Sequence, residues 1–260
     1  MIIIFTQMAK PNITKMLHYV FRKKVGGIYI AHMTCREAIA ELQKAKGTGQ
    51  RVSGETCTHY LTTTKEVLDN PDFNEAAKFV CSPALRDRED CEALWQALSD
   101  GLLTAVSSDH CGIDVAELKQ AGRNDFTQIP NGSPGAGDRL HMVWTEGVCT
   151  GKLTRQKFVD VIATQPAKIN GIYPRKGTLA VGSDADVVIF DPNYEGTVHL
   201  ADNPNGVDYN LYEGRRQSGR VETVLLRGQV VVENAKFVGR YGQGKFIPAN
   251  MYASGYENRN

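Results

Sequence analysis

The sequence predicts an α/β chain: half of a (β/α) barrel over residues 28–172, followed by a β-rich unit over 173–240. Two observations carry this. In the first part, short apolar runs alternate with helical patterns, and polar residues stand just past the runs, where a barrel gathers its chemistry. After Ile172 the texture changes to short strand-like runs separated by Gly, Pro and Asn.

Taken in order, residues 1–5 are apolar, but Gln7 and Lys10 end the run far short of the roughly 20 residues a membrane span needs, so a buried strand is predicted. Ile13, Met16, Leu17, Val20 and Phe21 recur at helical spacing, and Gly26 and Gly27 close that helix where a left-handed cap would sit. Residues 1–27 therefore form an amino-terminal segment with a helix. Residues 28–31 (IYIA) form a continuously apolar run, the style of a parallel strand covered on both faces, and His32 follows it. A helix is predicted over 35–46, an extended piece from Arg51 to near His59, a strand over 79–81, a helix over 88–98, and a strand over 103–106 running into Asp109. These make about four strand-helix units, half of a barrel of eight. In the second unit, residues 177–182, 185–190 and 221–226 read as short strands. From 241 to 260 the periodicity fades into an extended tail.

Bulk properties narrow the functional classes. With 30 basic and 29 acidic side chains the net charge is +1, which points to neither nucleic acid nor an anionic membrane as partner. The six cysteines, Cys35, Cys57, Cys81, Cys91, Cys111 and Cys149, include no CxxC pair, and reduced thiols in a cytoplasmic protein are expected. The 42% hydrophobic content is that of an ordinary globular core.

His32, His59 and Asp109 all fall just beyond predicted strands. Two imidazoles and a carboxylate suit a borderline divalent ion such as zinc. Any one of these histidines could equally be a structural residue, and spacing alone does not bring the three together. His110 adjoins Asp109, but neighbouring side chains at a strand end diverge, so it reads as a supporting group. Cys57 and Cys111 read as small buried residues rather than thiolate donors.

The segments at 29–35 (YIAHMTC), 54–61 (GETCTHYL), 81–86 (CSPALR), 94–98 (LWQAL), 107–111 (SSDHC), 129–132 (IPNG) and 176–192 occur in the order found in dihydropyrimidinases and hydantoinases. The chain resembles the carboxyl-terminal portion of that family of cyclic amidohydrolases. The resemblance implies the second half of a metal-dependent hydrolase (β/α)8 barrel plus part of a small β-sandwich domain. It implies that His32 and His59 bind the second of two metals, and that Asp109 binds the first and shuttles the proton. It implies further that the backbone at Ser82 and Asn131 hydrogen-bonds the substrate ring; both residues also read as simple turn positions beside Pro83 and Gly132. The expected substrate is a small cyclic amide, a dihydropyrimidine or a 5-substituted hydantoin opened to an N-carbamoyl amino acid. The expected metal is zinc, and the expected assembly is a homotetramer.

The resemblance has gaps. Family members carry an HxH pair and a carboxylated bridging lysine on earlier barrel strands; this sequence has no HxH and no segment like the lysine's. At most one metal is therefore expected here, and activity of the chain by itself is in question. Gly137 stands where relatives commonly place a glutamate. Half a barrel would also leave open strand edges that invite association. Two other readings stay open: a non-catalytic, scaffold-like relative, and an amidohydrolase acting on allantoin or dihydroorotate.

Overall fold

The computed structural model describes residues 2–5, 27–202 and 204–249. The helix expected within 1–27 and the end of the expected tail, from 250 on, lie outside them.

Four parallel strands form an open sheet in the order β1 (Ile2–Phe5), β2 (Ile28–Ala31), β3 (Val52–Cys57), β4 (Ala105–Ser107). Ile2 pairs with Ile28, Ile30 with Gly54, and Cys57 with Ser107. Because side chains alternate along a strand, β2, β3 and β4 each have one row facing the helices and one facing the barrel interior. Ile28 and Ile30 point to the helical side and are wholly buried. So does Gly54, where an added Cβ would lie 2.5 Å from Met33 Sδ and 3.2 Å from a Leu42 methyl. Tyr29 and Glu55 share the interior row, and the Tyr29 hydroxyl donates to the Glu55 carboxylate.

Two helices cover the outer face. In α1 (Arg36–Gly47), Ala38, Ile39, Leu42 and Ala45 recur at three- and four-residue steps and are buried as one stripe. Its Glu37 lies in the first turn and Lys44 and Lys46 in the last, each favourable with the helix dipole. The short α2 (Thr58–Thr62) leaves β3 at once, and α3 (Phe73–Ala77) begins on an Asp72 carboxylate that accepts from the Asn74 N–H at 2.8 Å. In α4 (Arg88–Ser99), Cys91, Leu94, Trp95 and Leu98 form the buried stripe. Burying each of these leucines contributes about 2 kcal/mol. The Trp95 indole N–H donates to the Leu61 carbonyl at 3.0 Å, so the polar tip of a core residue is satisfied.

Beyond β4 the chain runs through a long loop to α5 (Arg139–Val143), which continues in a wider turn where the Cys149 N–H reaches the Trp144 carbonyl at 3.0 Å. Then follow α6 (Arg155–Val159) and α7 (Gln165–Ile169). The second unit is an antiparallel sheet of β5 (Val187–Thr197), β6 (Arg216–Leu226), β7 (Gln229–Glu233) and β8 (Lys236–Phe237) in sequential order. It is joined to the first by an aromatic cluster, with Trp144 edge-on to Phe190 at 4.8 Å and to Phe158 at 5.3 Å. Thr145 and Ser218 add a reciprocal pair of hydrogen bonds. Val188, Ile189, Val230 and Phe237 leave the second sheet with substantial exposed apolar surface.

Two expected strands do not form. At 79–81 the backbone closes turns, with Phe79 N–H donating to Ala76 O and Val80 N–H to Ala77 O, while Val80 O accepts from Gly132 N–H. Among the described residues no neighbouring strand offers a ladder, and β-favouring side chains cannot make one alone. At 177–182 the chain turns instead, with Gly177 and Gly182 at φ of 80° and 91° and Ser183 N–H donating to Ala180 O. The fourth parallel strand is instead the apolar opening, β1.

Candidate metal centre

The strand ends supply the site. His32 follows β2, and the Met33 N–H donates to the Glu55 carbonyl at 2.9 Å, pinning the chain as it leaves the sheet. His32 and Asp109 adopt φ of 55° and 47°, the left-handed region that non-glycine residues seldom enter. Such conformations cost about 1 kcal/mol or more each and here turn both side chains toward one place. His32 Nε2 and Asp109 Oδ1 are 3.1 Å apart.

His59 arrives from the next strand, in the first turn of α2, and is 4% exposed. Its donor atom and those of Cys57 and Asp109 all lie within 4.8 Å of one another. The cause is register. Cys57 and Ser107 are partners across the parallel ladder, so His59 and Asp109, each two residues farther on, leave the sheet side by side. All three sequence-predicted ligands thus stand at the carboxyl ends of adjacent strands.

Electrostatics prepares them for a cation. Burial pushes the His59 imidazole down to about 4, against the pull of the Asp109 carboxylate, so the ring is neutral at neutral pH. Its Nε2 is buried and has no hydrogen-bond partner among the described residues. A buried, unprotonated and unpartnered ring nitrogen fits a metal ligand. The hydrogen bond from His32 holds the Asp109 carboxyl below the usual carboxylate range, opposed in part by burial. The fit to a divalent ion is good on the chemistry of the donors.

Ser82 and Asn131 sit on two loops beside this centre. Ser82 is half-buried, Asn131 is exposed, and the Gly132 N–H donates to Val80 O at 3.1 Å, joining the two segments. Tyr60, next to His59, donates its hydroxyl to Pro83 O at 2.7 Å. Ser133 pairs with His110, and its carbonyl accepts from the Cys111 N–H at 3.0 Å, so the 131–133 segment lies between Asp109 and the Ser82 loop. His110 turns away, its Nδ1 facing the N–H groups of Gly135 and Ala136 at 3.3 and 3.4 Å.

Sequence reasoning missed two groups. Cys57 read as a small buried residue, yet it belongs to the donor cluster; the signal was its two-residue spacing from His59 at a strand end. Lys119 was not singled out at all. Its ammonium is wholly buried and donates to Ala77 O at 2.7 Å, Gly132 O at 2.8 Å and Val80 O at 3.3 Å, lacing the two loops together. Nothing in its local sequence marks it.

Residues 23–231 match the family described as the amidohydrolase family. Among curated proteins, a D-hydantoinase of Ralstonia pickettii is 48% identical over 225 residues, covering 86% of this chain and 49% of that protein. A D-hydantoinase of Geobacillus stearothermophilus is 42% identical over 227 residues, covering 87% and 48%. Among solved structures, a dihydropyrimidinase of Brevibacillus agri superposes with a TM-score of 0.91 at 39% identity, covering 94% of this chain and 54% of the other. The chain spans about half the length of the curated relatives it matches.

Proposed function

Because this chain belongs to the amidohydrolase family, we propose that it is the carboxyl-terminal portion of a metal-dependent cyclic amidohydrolase that opens dihydropyrimidine or 5-substituted hydantoin rings to N-carbamoyl amino acids. The observation that carries the reading is the meeting of His32 and His59 with Asp109 at the ends of adjacent parallel strands. The similarity to D-hydantoinases and a dihydropyrimidinase supports the substrate class. Three of the four parallel strands lie within 28–172 and the antiparallel sheet lies within 173–240, which supports that division into a partial barrel and a partial sandwich, with β1 adding one barrel strand from ahead of residue 28.

In this reading His32, His59 and Asp109 hold a divalent ion, with zinc favoured by the nitrogen and oxygen donors. Such an ion would polarise the ring carbonyl and lower the pKa of attacking water toward ~7. Asp109, whose carboxyl is held below the usual carboxylate range by the His32 hydrogen bond in the metal-free chain, accepts the proton of the attacking water and returns it to the departing amide nitrogen. His59 stays neutral and keeps its Nε2 lone pair available. The backbone at Ser82 and Asn131 presents donors and acceptors to the imide edge of the ring, and the bond between Gly132 and Val80 holds the two loops at a fixed spacing.

No helix among the described residues is long and apolar enough to cross a membrane. A cytoplasmic location and a homotetramer complete the proposal. All six cysteines stand as free thiols, which supports the location; the tetramer rests on family analogy.

Metal analysis after dialysis against zinc tests the centre: about one firmly bound equivalent is expected, and its loss in Asp109→Asn. Ring opening of dihydrouracil and hydantoin with zinc, manganese or cobalt tests the activity. Absence of bound metal would overturn the reading of the site, and absence of turnover with every metal would overturn the activity of this chain.

A further inference from the structure

Asp109 sits on an arch of chain that is tied at both ends to one segment, residues 133–139. Ahead of it, the Val106 carbonyl accepts from Arg139 Nη1 at 2.8 Å. Behind it, the Cys111 N–H donates to Ser133 O at 3.0 Å, and His110 Nδ1 accepts from the Gly135 and Ala136 N–H groups at 3.3 and 3.4 Å. Between these ties Asp109 keeps its φ of 47°, a conformation that persists only where the surroundings enforce it. A return to ordinary backbone would swing its carboxylate away from His32 Nε2, which lies 3.1 Å from it. Whatever fixes residues 133–139 therefore fixes Asp109.

That segment is held from the second unit. The connection between β5 and β6 brings Asn205 and Asn210 against Asp138, with Asn205 Nδ2 donating to Asp138 Oδ2 at 3.2 Å and Asn210 Nδ2 to Asp138 Oδ1 at 3.1 Å. Both amides are oriented by backbone: Asn205 Oδ1 accepts from the Gly137 N–H at 3.0 Å, and Asn210 Oδ1 from the Tyr212 N–H at 2.8 Å. Asp138 and Asn210 are buried. A buried carboxylate is costly unless its lone pairs are met, so the three side chains hold only as a set.

We propose that Asp138, locked by Asn205 and Asn210, is a positioning residue for Asp109, which makes the connection between β5 and β6 part of the frame of the metal centre. The inference rests on the reading above that Asp109 is a metal ligand.

The test is zinc affinity of the full chain, measured against a chromophoric chelator beside the urea midpoint. Asp138→Asn turns an amide donor toward another donor, and Asn205→Asp sets two carboxylates face to face; each should lower the affinity about 10-fold or more. Combining the two moves the charge across the contact and keeps every hydrogen bond of the set, so the double substitution should restore most of the loss. Asp208→Ala is the control, because Asp208 ties the same connection to the Val115 and Ala116 N–H groups, away from residues 133–139. It should lower the urea midpoint and leave zinc affinity unchanged. Parent-like affinity in both single variants, no recovery in the double, or an equal loss in Asp208→Ala would overturn the positioning role and leave the ligand reading standing. No zinc bound by the unsubstituted chain would overturn both. Should a single variant lose the far-ultraviolet circular dichroism of the parent, Asn205→Ala decides, since it removes the contact without adding charge. Parent-like affinity there would overturn the proposal.

Discussion

Replacing Lys119 by Met probes the join between the two loops beside the metal centre. The side chain is 0% exposed, and its Nζ donates to three carbonyls, Ala77, Val80 and Gly132, at 2.7, 3.3 and 2.8 Å. Hydrogen bonds from a charged donor contribute about 1.5–3 kcal/mol each, so the three together contribute roughly 4–9 kcal/mol. Against this stands the cost of burying the ammonium. Burial lowers its pKa from 10.5 to about 8, a shift whose cost at neutral pH is roughly 3 kcal/mol. Methionine removes both effects and leaves Gly132 O without its buried donor, for a net loss of about 1–6 kcal/mol. The pH dependence carries the sign of the burial cost. Between about pH 8 and 10.5 the unfolded lysine binds a proton that the folded one has lost, so stability of the parent rises with pH across that window. The contribution of this group is about 1.4 kcal/mol per pH unit at most, and it should be absent from Lys119→Met. Urea denaturation followed by circular dichroism at pH 7, 8, 9 and 10 measures both. A variant as stable as the parent at pH 7, with the same slope above pH 8, would refute the reasoning.

Three other perturbations test the frame around the site. Gly54→Ala puts a methyl 2.5 Å from Met33 Sδ and 3.3 Å from Leu103, so a loss of about 1–3 kcal/mol is expected in urea, and an unchanged midpoint would contradict the close packing of β3 on α1. Leu98→Ala empties a wholly buried position in α4 and should cost about 2–5 kcal/mol by the same measurement; a loss below 1 kcal/mol would mean the helix does not pack as described. With metal chelated away, His59 is depressed from 6.5 to about 4, so the unfolded chain binds the proton first as pH falls. Stability should therefore drop between pH 6.5 and about 4, by roughly 3 kcal/mol at most, and His59→Gln should flatten that part of the curve.

Much of the scaffold was legible because it is written in local patterns. The run at 28–31 became β2 with the bounds it suggested, and the apolar stripes ending at Ala45 and Leu98 became α1 and α4. Each needs only a periodic row of apolar side chains and something to cover it. The same logic misled at 79–81 and 177–182, because a strand exists only where another chain segment completes its ladder. Partner availability is a property of the whole fold. The apolar opening took the fourth parallel place for the same reason, since it lies beside β2.

The sequence by itself supplied the candidate residues of the proposed site: His32, His59 and Asp109 could be named because each follows a strand-like run. Only the tertiary structure decided that they meet. That depends on the pairing of Cys57 with Ser107 and on left-handed backbone at His32 and Asp109, neither of which any local pattern encodes. The same register brought Cys57 into the donor cluster, and the path of the loop after β4 sank Lys119 among three carbonyls. Local periodicity fixes which face of an element is apolar. Convergence of polar groups is set by register and crossover, which emerge only when the sheet is assembled.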